Sequence, residues 1–135
     1  MANTIRGKND FDLPSYLLER AAARGSIKQI NHLKNWGCKW TPRASTAAAA
    51  YGQVDVLDWI VKNNQSLSQE NLINAAVLNE KMEVMDWLYK NNYISIHNYE
   101  EIYKISVKNK KTKIVTWLRK NTTYQPRQKI CCVIS

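Results

Sequence analysis

Apolar residues recur at helical spacing along most of this chain, in short runs that polar turns separate. Between residues 56 and 61, apolar side chains stand at i, i+1, i+4 and i+5, which places them on one face of a helix. A short apolar stretch at 48–50 precedes this run, and Gly52 stands between the two. The pattern predicts two helices joined by a tight turn.

This helix–turn–helix pattern occurs four times. A unit of this size cannot bury its apolar face alone, so the repeat predicts that neighbouring units stack into an all-α fold. The four copies are AAARGSIKQINHLKNWG (21–37), AAAYGQVDVLDWIVKNN (48–64), AVLNEKMEVMDWLYKNN (76–92) and SVKNKKTKIVTWLRKNT (106–122). One aligned position on the second helices holds His32, Trp59, Trp87 and Trp117, at spacings of 27, 28 and 30 residues. The next position holds Leu33, Ile60, Leu88 and Leu118.

Turn-forming residues divide the copies in a regular way. A glycine separates the two helices of the first and second copies, and Gly or Asn stands where the second helix of the first three copies ends. These residue types tolerate the left-handed conformation that closes many helices. Thr122 ends the last copy without such a residue, as expected where the array stops. The positions are Gly25 and Gly52 within copies, and Gly37, Asn64 and Asn92 at their ends.

The aligned copies resemble the ankyrin repeat family. The match lies in AAARGSIKQINHL, AAAYGQVDVLDWIV and AAVLNEKMEVMDWL, which are similar to the family's Ala-Ala-x-x-Gly turn and the Val- and Leu-rich helix that follows. GCKWT at 37–41 resembles the ankyrin arrays of large DNA viruses and of bacteria that live in amoebae. The resemblance implies a solenoid of four stacked repeats whose concave surface, lined by first helices, binds a protein.

The chain also departs from the ankyrin pattern. The Thr-Pro-Leu-His entry is reduced to TPRAST, and the units are shorter than the ~33 residues of an ankyrin repeat, which predicts abbreviated hairpin loops. We predict a lead-in at 1–14, a repeat domain at 15–122 and a flexible basic tail at 123–135. The predicted units span about 15–40, 41–67, 68–96 and 97–122.

The positive charge is concentrated at one end of the chain. Residues 1–101 carry 11 basic and 11 acidic residues, whereas residues 102–135 carry nine basic residues and no acid. Such asymmetry favours an anionic partner, either a membrane or a nucleic acid, although a terminal repeat also needs a polar, solvated exterior. The candidate membrane-binding residues are Lys108, Lys110, Lys111, Lys113, Arg119, Lys120, Arg127 and Lys129.

The last four residues fit the Cys-aliphatic-aliphatic-X signal for prenylation. Cys132 supplies the thiol, Val133 and Ile134 are the aliphatic pair, and Ser135 at X favours a farnesyl group. Cys131 is a candidate palmitoylation site because it adjoins the prenylated cysteine. One lipid chain binds a membrane only weakly, so a second lipid or a basic patch would strengthen the attachment.

These features predict where the protein acts. A farnesylated chain with a basic end belongs at the cytosolic face of a eukaryotic membrane, and it would also contact a prenyl transferase and a prenyl-binding carrier. If the chain is viral or bacterial, a host cell supplies both the lipid and the membrane. Without the lipid, we expect the protein in the cytoplasm.

Residues with catalytic potential are scattered. We expect His32 to pack in the slot that Trp fills elsewhere, His97 to lie in the loop before the fourth unit, and Cys38 to be a buried structural thiol. A metal site needs clustered ligands, which three Cys and two His spread over the chain do not supply. We therefore expect no catalytic residues, metal or cofactor.

The aromatic residues divide into two sets. The tryptophans at the aligned position lie in register, which favours packing in the core. Non-repeating aromatic residues near first helices would lie on the surface that repeat arrays use for binding. We predict that Tyr51, Tyr99 and Tyr103 contact a protein partner.

Taken together, the sequence predicts a monomeric, non-enzymatic ankyrin-repeat adaptor that is farnesylated at its C-terminus and binds a protein partner. The alternative is a soluble basic module that binds nucleic acid or an acidic protein through the C-terminal repeat. We expect no nucleic acid, because residues 104–120 offer only Trp117 for base stacking and that ring is assigned to the core.

Overall fold

The structure, a computed structural model, describes residues 14–125 and contains eight α-helices and no β-strand in this range. The predicted all-α fold is therefore confirmed for the described part of the chain. The helices are α1 (Tyr16–Arg24), α2 (Ile27–Asn35), α3 (Pro42–Ala50), α4 (Val54–Lys62), α5 (Gln69–Leu78), α6 (Met82–Lys90), α7 (Ile96–Lys108) and α8 (Thr112–Asn121).

The helices form four pairs that stack in two layers. Within each pair the first helix packs against the second, as α1 does against α2. The first helices of successive pairs also pack directly on one another and form the first-helix layer, α1–α3–α5–α7. The second helices form a second layer, α2–α4–α6–α8, with fewer contacts between neighbours. Each helix thus buries apolar surface against the other helix of its pair and against the neighbouring pair.

Small side chains allow the first helices to approach closely. One aligned position on the first helices holds the small residues Ala21, Ala48, Ala76 and Ser106, and all four are buried. The Ser106 hydroxyl donates to the carbonyl of Ile102 at 2.6 Å, so its burial leaves no hydroxyl unsatisfied. The aliphatic column on the second helices completes the core, and its members Leu33, Ile60, Leu88 and Leu118 are buried.

The turn inside every pair contains one residue in the left-handed conformation. Glycine takes this position in the first two pairs, but the third and fourth pairs place residues with side chains there. The next residue donates its backbone N–H to a carbonyl five residues back, as from Lys111 to Ser106 at 2.7 Å, which is a Schellman closure. The left-handed residues are Gly25 (φ 80), Gly52 (φ 75), Glu80 (φ 48) and Lys110 (φ 58).

The turns between pairs contain left-handed residues at the predicted positions. Gly37, Asn64 and Asn92 have φ values of 97, 52 and 65, so the predicted left-handed residues are confirmed. Thr122 differs, because its φ of −135 is extended and no further helix follows it in the described range. An asparagine side chain caps the end of three second helices: Asn63, Asn91 and Asn121 donate to the carbonyls of Trp59, Trp87 and Trp117.

Hydrogen bonds between neighbouring pairs connect the second helices. The indole Nε1 of Trp87 donates to the Asp58 carboxylate at 2.7 Å, and Trp117 donates to Asp86 at 2.6 Å. Each acceptor therefore belongs to the pair before its tryptophan, and each immediately precedes that pair's own tryptophan in sequence. Thr116 occupies the corresponding position of the last pair, so the series of carboxylate acceptors ends there.

Candidate functional site

His32 does not occupy a tryptophan-like slot. Its side chain is exposed and meets the Trp36 ring edge-on, with the ring centroids 6.3 Å apart. The prediction that it packs in the core is therefore wrong. The physical reason is its place in the array: Trp87 donates a hydrogen bond to Asp58 of the preceding pair, and no described pair precedes the first one.

The other residues considered for catalysis also have structural surroundings. His97 is exposed and is the second residue of α7 rather than the predicted loop residue, because Ser95 caps that helix and α7 begins at Ile96. Cys38 is buried, as predicted, and its Sγ lies 3.5 Å from the carbonyl oxygen of Pro14. Burial raises the pKa of the Cys38 thiol, which keeps it protonated at neutral pH. Within residues 14–125, no three metal-binding side chains cluster together.

The three tyrosines predicted to bind a partner lie in different environments. Tyr51 follows the last residue of α3 and is 64% exposed. Tyr99 is only 9% exposed, and Tyr103 is half-buried. Burial removes Tyr99 from the candidate partner-binding residues, since little of its ring is accessible. Tyr51 is thus the best placed of the three to contact another molecule.

A segment beyond the last helix covers part of α7. The predicted tail begins at residue 123, but the Tyr124 ring contacts the rings of Tyr99 and Tyr103, with centroids 6.2 and 5.7 Å away. The Tyr124 hydroxyl also donates to the Glu100 carboxylate. A single tyrosine in a polar segment has no periodic pattern around it, so sequence analysis missed this contact.

An open groove lies between α5 and α7 in the first-helix layer, and we call it the inner groove. Its volume is about 350 Å³. Side chains of Ile73, Ile102 and Ile105 give it an apolar lining, and the exposed carboxylates of Glu70 and Glu101 stand beside them. Neither carboxylate forms an ion pair with another residue of the described range. The groove therefore combines apolar surface with unpaired negative charge.

Sequence analysis could not find the inner groove. Glu101 adjoins Glu100 in the sequence, but adjacent residues on a helix point in different directions, so this pair alone does not indicate a site. Glu70 lies 31 positions away, and only the stacking of α5 against α7 brings the two residues to one groove. A repeat-by-repeat comparison of exposed first-helix positions would have been the available signal.

The predicted membrane-binding residues that the structure describes are all on the last pair. Lys111 is half-buried and the other five are exposed. Four of them, Lys108, Lys110, Lys111 and Lys113, surround the turn between α7 and α8, whereas Arg119 and Lys120 lie in the last turn of α8. The two groups are thus at opposite ends of α8, about 15 Å apart for a helix of this length.

The remaining predicted site residues lie outside the described residues. They are Arg127, Lys129, Cys131, Cys132, Val133, Ile134 and Ser135. Among the helices that the structure does describe, none is long and apolar enough to cross a bilayer.

Comparisons of the chain with protein-family models, with curated proteins and with solved structures found no match. We therefore infer its function from the residues and contacts described above.

Proposed function

We propose that the protein is a non-enzymatic, ankyrin-like adaptor that binds a protein partner through its first-helix layer. The observation that carries the proposal is the inner groove, which is apolar, open and flanked by the carboxylates of Glu70 and Glu101, neither of which has an ion-pair partner within residues 14–125. The ankyrin-like assignment is supported by four stacked pairs with a left-handed residue at the same place in each turn. Repeat arrays use extended surfaces of this kind for recognition.

Charge reversal in the inner groove tests the adaptor function. Proximity labelling in eukaryotic cells would identify the proteins that neighbour the wild-type protein and its Glu70→Lys and Asp55→Lys variants. Asp55 is the matched control, because it is also an exposed acid in the first turn of a helix but lies in the second-helix layer. Proteins captured by wild type and Asp55→Lys but lost with Glu70→Lys would support the proposal. Identical protein sets from all three forms would contradict it.

The adaptor also attaches to the cytosolic face of a membrane if its chain terminates at Ser135. In that case Cys132, Val133, Ile134 and Ser135 form a prenylation signal, and Cys131 is available for a second lipid. Mass spectrometry of the C-terminal peptide from eukaryotic cells identifies both the last residue and the modification. We expect a farnesyl group and a methylated carboxylate on Cys132. An unmodified peptide ending at Ser135 would overturn this part of the proposal.

Cell fractionation distinguishes the contributions of the two cysteines to membrane attachment. Cys132→Ser should release the protein to the soluble fraction, because it removes the farnesyl group. Cys131→Ser should keep the farnesyl group but make membrane binding weaker and more easily reversed. If Cys132→Ser stays with the membrane, another part of the molecule provides the attachment.

Basic residues on the last pair would strengthen attachment to anionic lipid, at about 1 kcal/mol for each residue near the surface. Replacing Lys108, Lys110, Lys111 and Lys113 with Gln should weaken binding of the lipidated protein to vesicles that contain phosphatidylserine. The loss should shrink as salt rises, since screening already removes the attraction. Equal binding at low salt would assign these lysines to a solvated surface only.

The alternative function, nucleic-acid binding through the last pair, is favoured only by the exposed cations. Trp117 is 5% exposed, so its ring is not accessible for base stacking. Titration with a single-stranded oligonucleotide at two salt concentrations tests this alternative. Tight binding that depends on Lys110 and Lys111 would favour it over the membrane role.

A further inference from the structure

The outer side of the last pair keeps apolar residues at positions that earlier pairs bury. Val77 in α5 is fully buried, whereas Val107, its counterpart in α7, is 51% exposed. Met85 in α6 is fully buried, and its counterpart Val115 in α8 is half-buried. Each earlier pair has a further pair packed against it on the following side. A terminal repeat that only needed solvation would carry polar residues here.

These residues line a groove between α7 and α8, which we call the terminal groove. Its volume is about 530 Å³. Val107 and Val115 form its apolar part, and Lys110, Lys111 and Arg119 stand around them. The Tyr124 segment covers a different part of α7, around Tyr99, Glu100 and Tyr103. Among the residues that the structure describes, none therefore takes the place of a further pair in this groove.

The positive charge of the terminal groove indicates what kind of partner binds there. Lys110, Lys111 and Arg119 form no ion pair within residues 14–125, and the chain has no acid after Glu101. A second copy stacked end-on would present its first pair, whose exposed residues include Arg20, Arg24 and Lys28. Like charges would oppose that contact. Residues 126–135 of the same chain carry Arg127 and Lys129 and meet the same opposition.

The last pair also lacks the carboxylate that earlier pairs offer to the following tryptophan. Asp58 and Asp86 each accept an indole N–H from the following pair, but Thr116 stands at this position in the terminal groove. The groove is thus suited to a helix, but it does not offer a following tryptophan the carboxylate that Asp58 and Asp86 provide. Its cations favour a helix with negative charge.

We propose that the terminal groove binds an acidic amphipathic helix of a partner protein, which packs aliphatic side chains on Val107 and Val115 and pairs its carboxylates with Lys110, Lys111 and Arg119. The inference goes beyond the proposed adaptor function, because it concerns a surface separate from the inner groove. The partner helix takes the place that the next pair takes elsewhere in the array.

A synthetic peptide provides the probe. It is a helix of about 18 residues with Leu on one face and Glu on the other, and its control has the same composition in scrambled order. Fluorescence anisotropy with the full chain should show that the amphipathic peptide binds and the scrambled one binds far more weakly. The affinity should fall as salt rises. Equal affinity for both peptides would mean only unspecific charge attraction and would overturn the proposal.

Protein variants test whether the peptide binds in the terminal groove. Lys110→Glu/Lys111→Glu/Arg119→Glu should lower the affinity at least about tenfold. Lys39→Glu/Lys62→Glu/Lys90→Glu changes the net charge equally at exposed positions of other pairs and should lower it less than about threefold. Val107→Ser should also weaken binding, and circular dichroism checks that each variant stays folded. Equal losses in the two triple variants would contradict the assignment.

Three further outcomes would assign the terminal groove to another occupant and overturn the proposal. The first is binding to phosphatidylserine vesicles through the same three cations, without peptide binding. The second is peptide binding only after residues 126–135 are removed. The third is dimerisation in sedimentation experiments that Val107→Ser abolishes. Glu70→Lys should leave peptide binding unchanged. A negative result for the terminal groove is therefore distinguishable from a negative result for partner binding in the inner groove.

Discussion

Residues at the same aligned position have different environments in this protein. Trp87 and Trp117 are buried and donate hydrogen bonds to the preceding pair, Trp59 is half-buried beside Trp40, and His32 is exposed. The aligned position determines which way the side chain points. How far it is buried depends on what the neighbouring pair places around it.

Removing the Trp87 ring should destabilise the fold far more than removing an exposed indole. Trp87 is 6% exposed and Trp36 is 68% exposed. We expect Trp87→Ala to lower the free energy of unfolding by about 3–5 kcal/mol, through lost packing and a lost hydrogen bond. Trp36→Ala should change it by less than about 0.5 kcal/mol. Urea unfolding measures both, and equal losses would contradict the proposed repeat register.

Two buried groups make the stability sensitive to alkaline pH. Burial raises the pKa of the Cys38 thiol and of the Tyr99 phenol above their ordinary values of 9.0 and 10.0. Above these values the unfolded chain loses protons that the folded protein keeps. Since the folded state then binds more protons, the free energy of unfolding decreases as the pH rises. The contribution of the two groups to stability is present in full below about pH 9.

Urea unfolding from about pH 7 to about pH 10.5 should show this decrease. Cys38→Ala and Tyr99→Phe should each make the decrease with pH less steep, because each removes one titrating group. Tyr51→Phe is the matched control, since Tyr51 is exposed. A decrease of the same steepness in all variants would contradict the assignment.

At the scale of elements, the turn within each pair adopts one geometry with different residues. Gly25 and Gly52 tolerate the left-handed conformation because they lack a Cβ, whereas Glu80 and Lys110 adopt it at a cost. The Schellman hydrogen bond forms in all four pairs, from Ser26, Gln53, Lys81 and Lys111. The stacking of the pairs therefore imposes the turn even where the local sequence disfavours it.

Relief of this strain should be measurable at Lys110. We expect Lys110→Gly to raise the free energy of unfolding by about 0.5–1 kcal/mol, because glycine adopts a φ of 58 without steric cost. Lys108→Gly is the control, since Lys108 is the last residue of α7 and glycine weakens a helix. It should lower stability. A decrease in both variants would argue against strain at Lys110.

At the scale of the whole molecule, contacts run mainly between neighbouring pairs, so stability is distributed along the array. The last pair has a neighbour on one side only among the described residues, and the Tyr124 segment supplies part of the missing cover. The two ends of the array should consequently respond independently to local changes.

Hydrogen exchange of Tyr124→Ala tests this independence. The variant loses the ring contacts to Tyr99 and Tyr103, so amides of α7 and α8 should exchange faster. Amides of α1–α3 should keep wild-type rates. Tyr51→Ala, which removes an exposed ring, should leave both ends unchanged. Uniformly faster exchange in Tyr124→Ala would show that the array unfolds as one cooperative unit.

The sequence by itself determined the helices, their pairing and the glycine and asparagine residues that close several of them. These features depend on periodicity and on backbone preferences at single positions, such as Gly52 and Asn64, which act within a few residues. The aliphatic column from Leu33 to Leu118 was predictable for the same reason, because burial of one helical face follows from its spacing.

Only the tertiary structure decided which surfaces remain open. Glu70 and Glu101 line one groove and Tyr124 covers Tyr99 because residues far apart in the chain pack together, whereas Val107 stays exposed because no pair within residues 14–125 follows it. No local pattern distinguishes Val107 from the buried Val77, since both occupy the same aligned position. Their difference arises from what stacks on each pair, and stacking is a property of the array rather than of any one repeat.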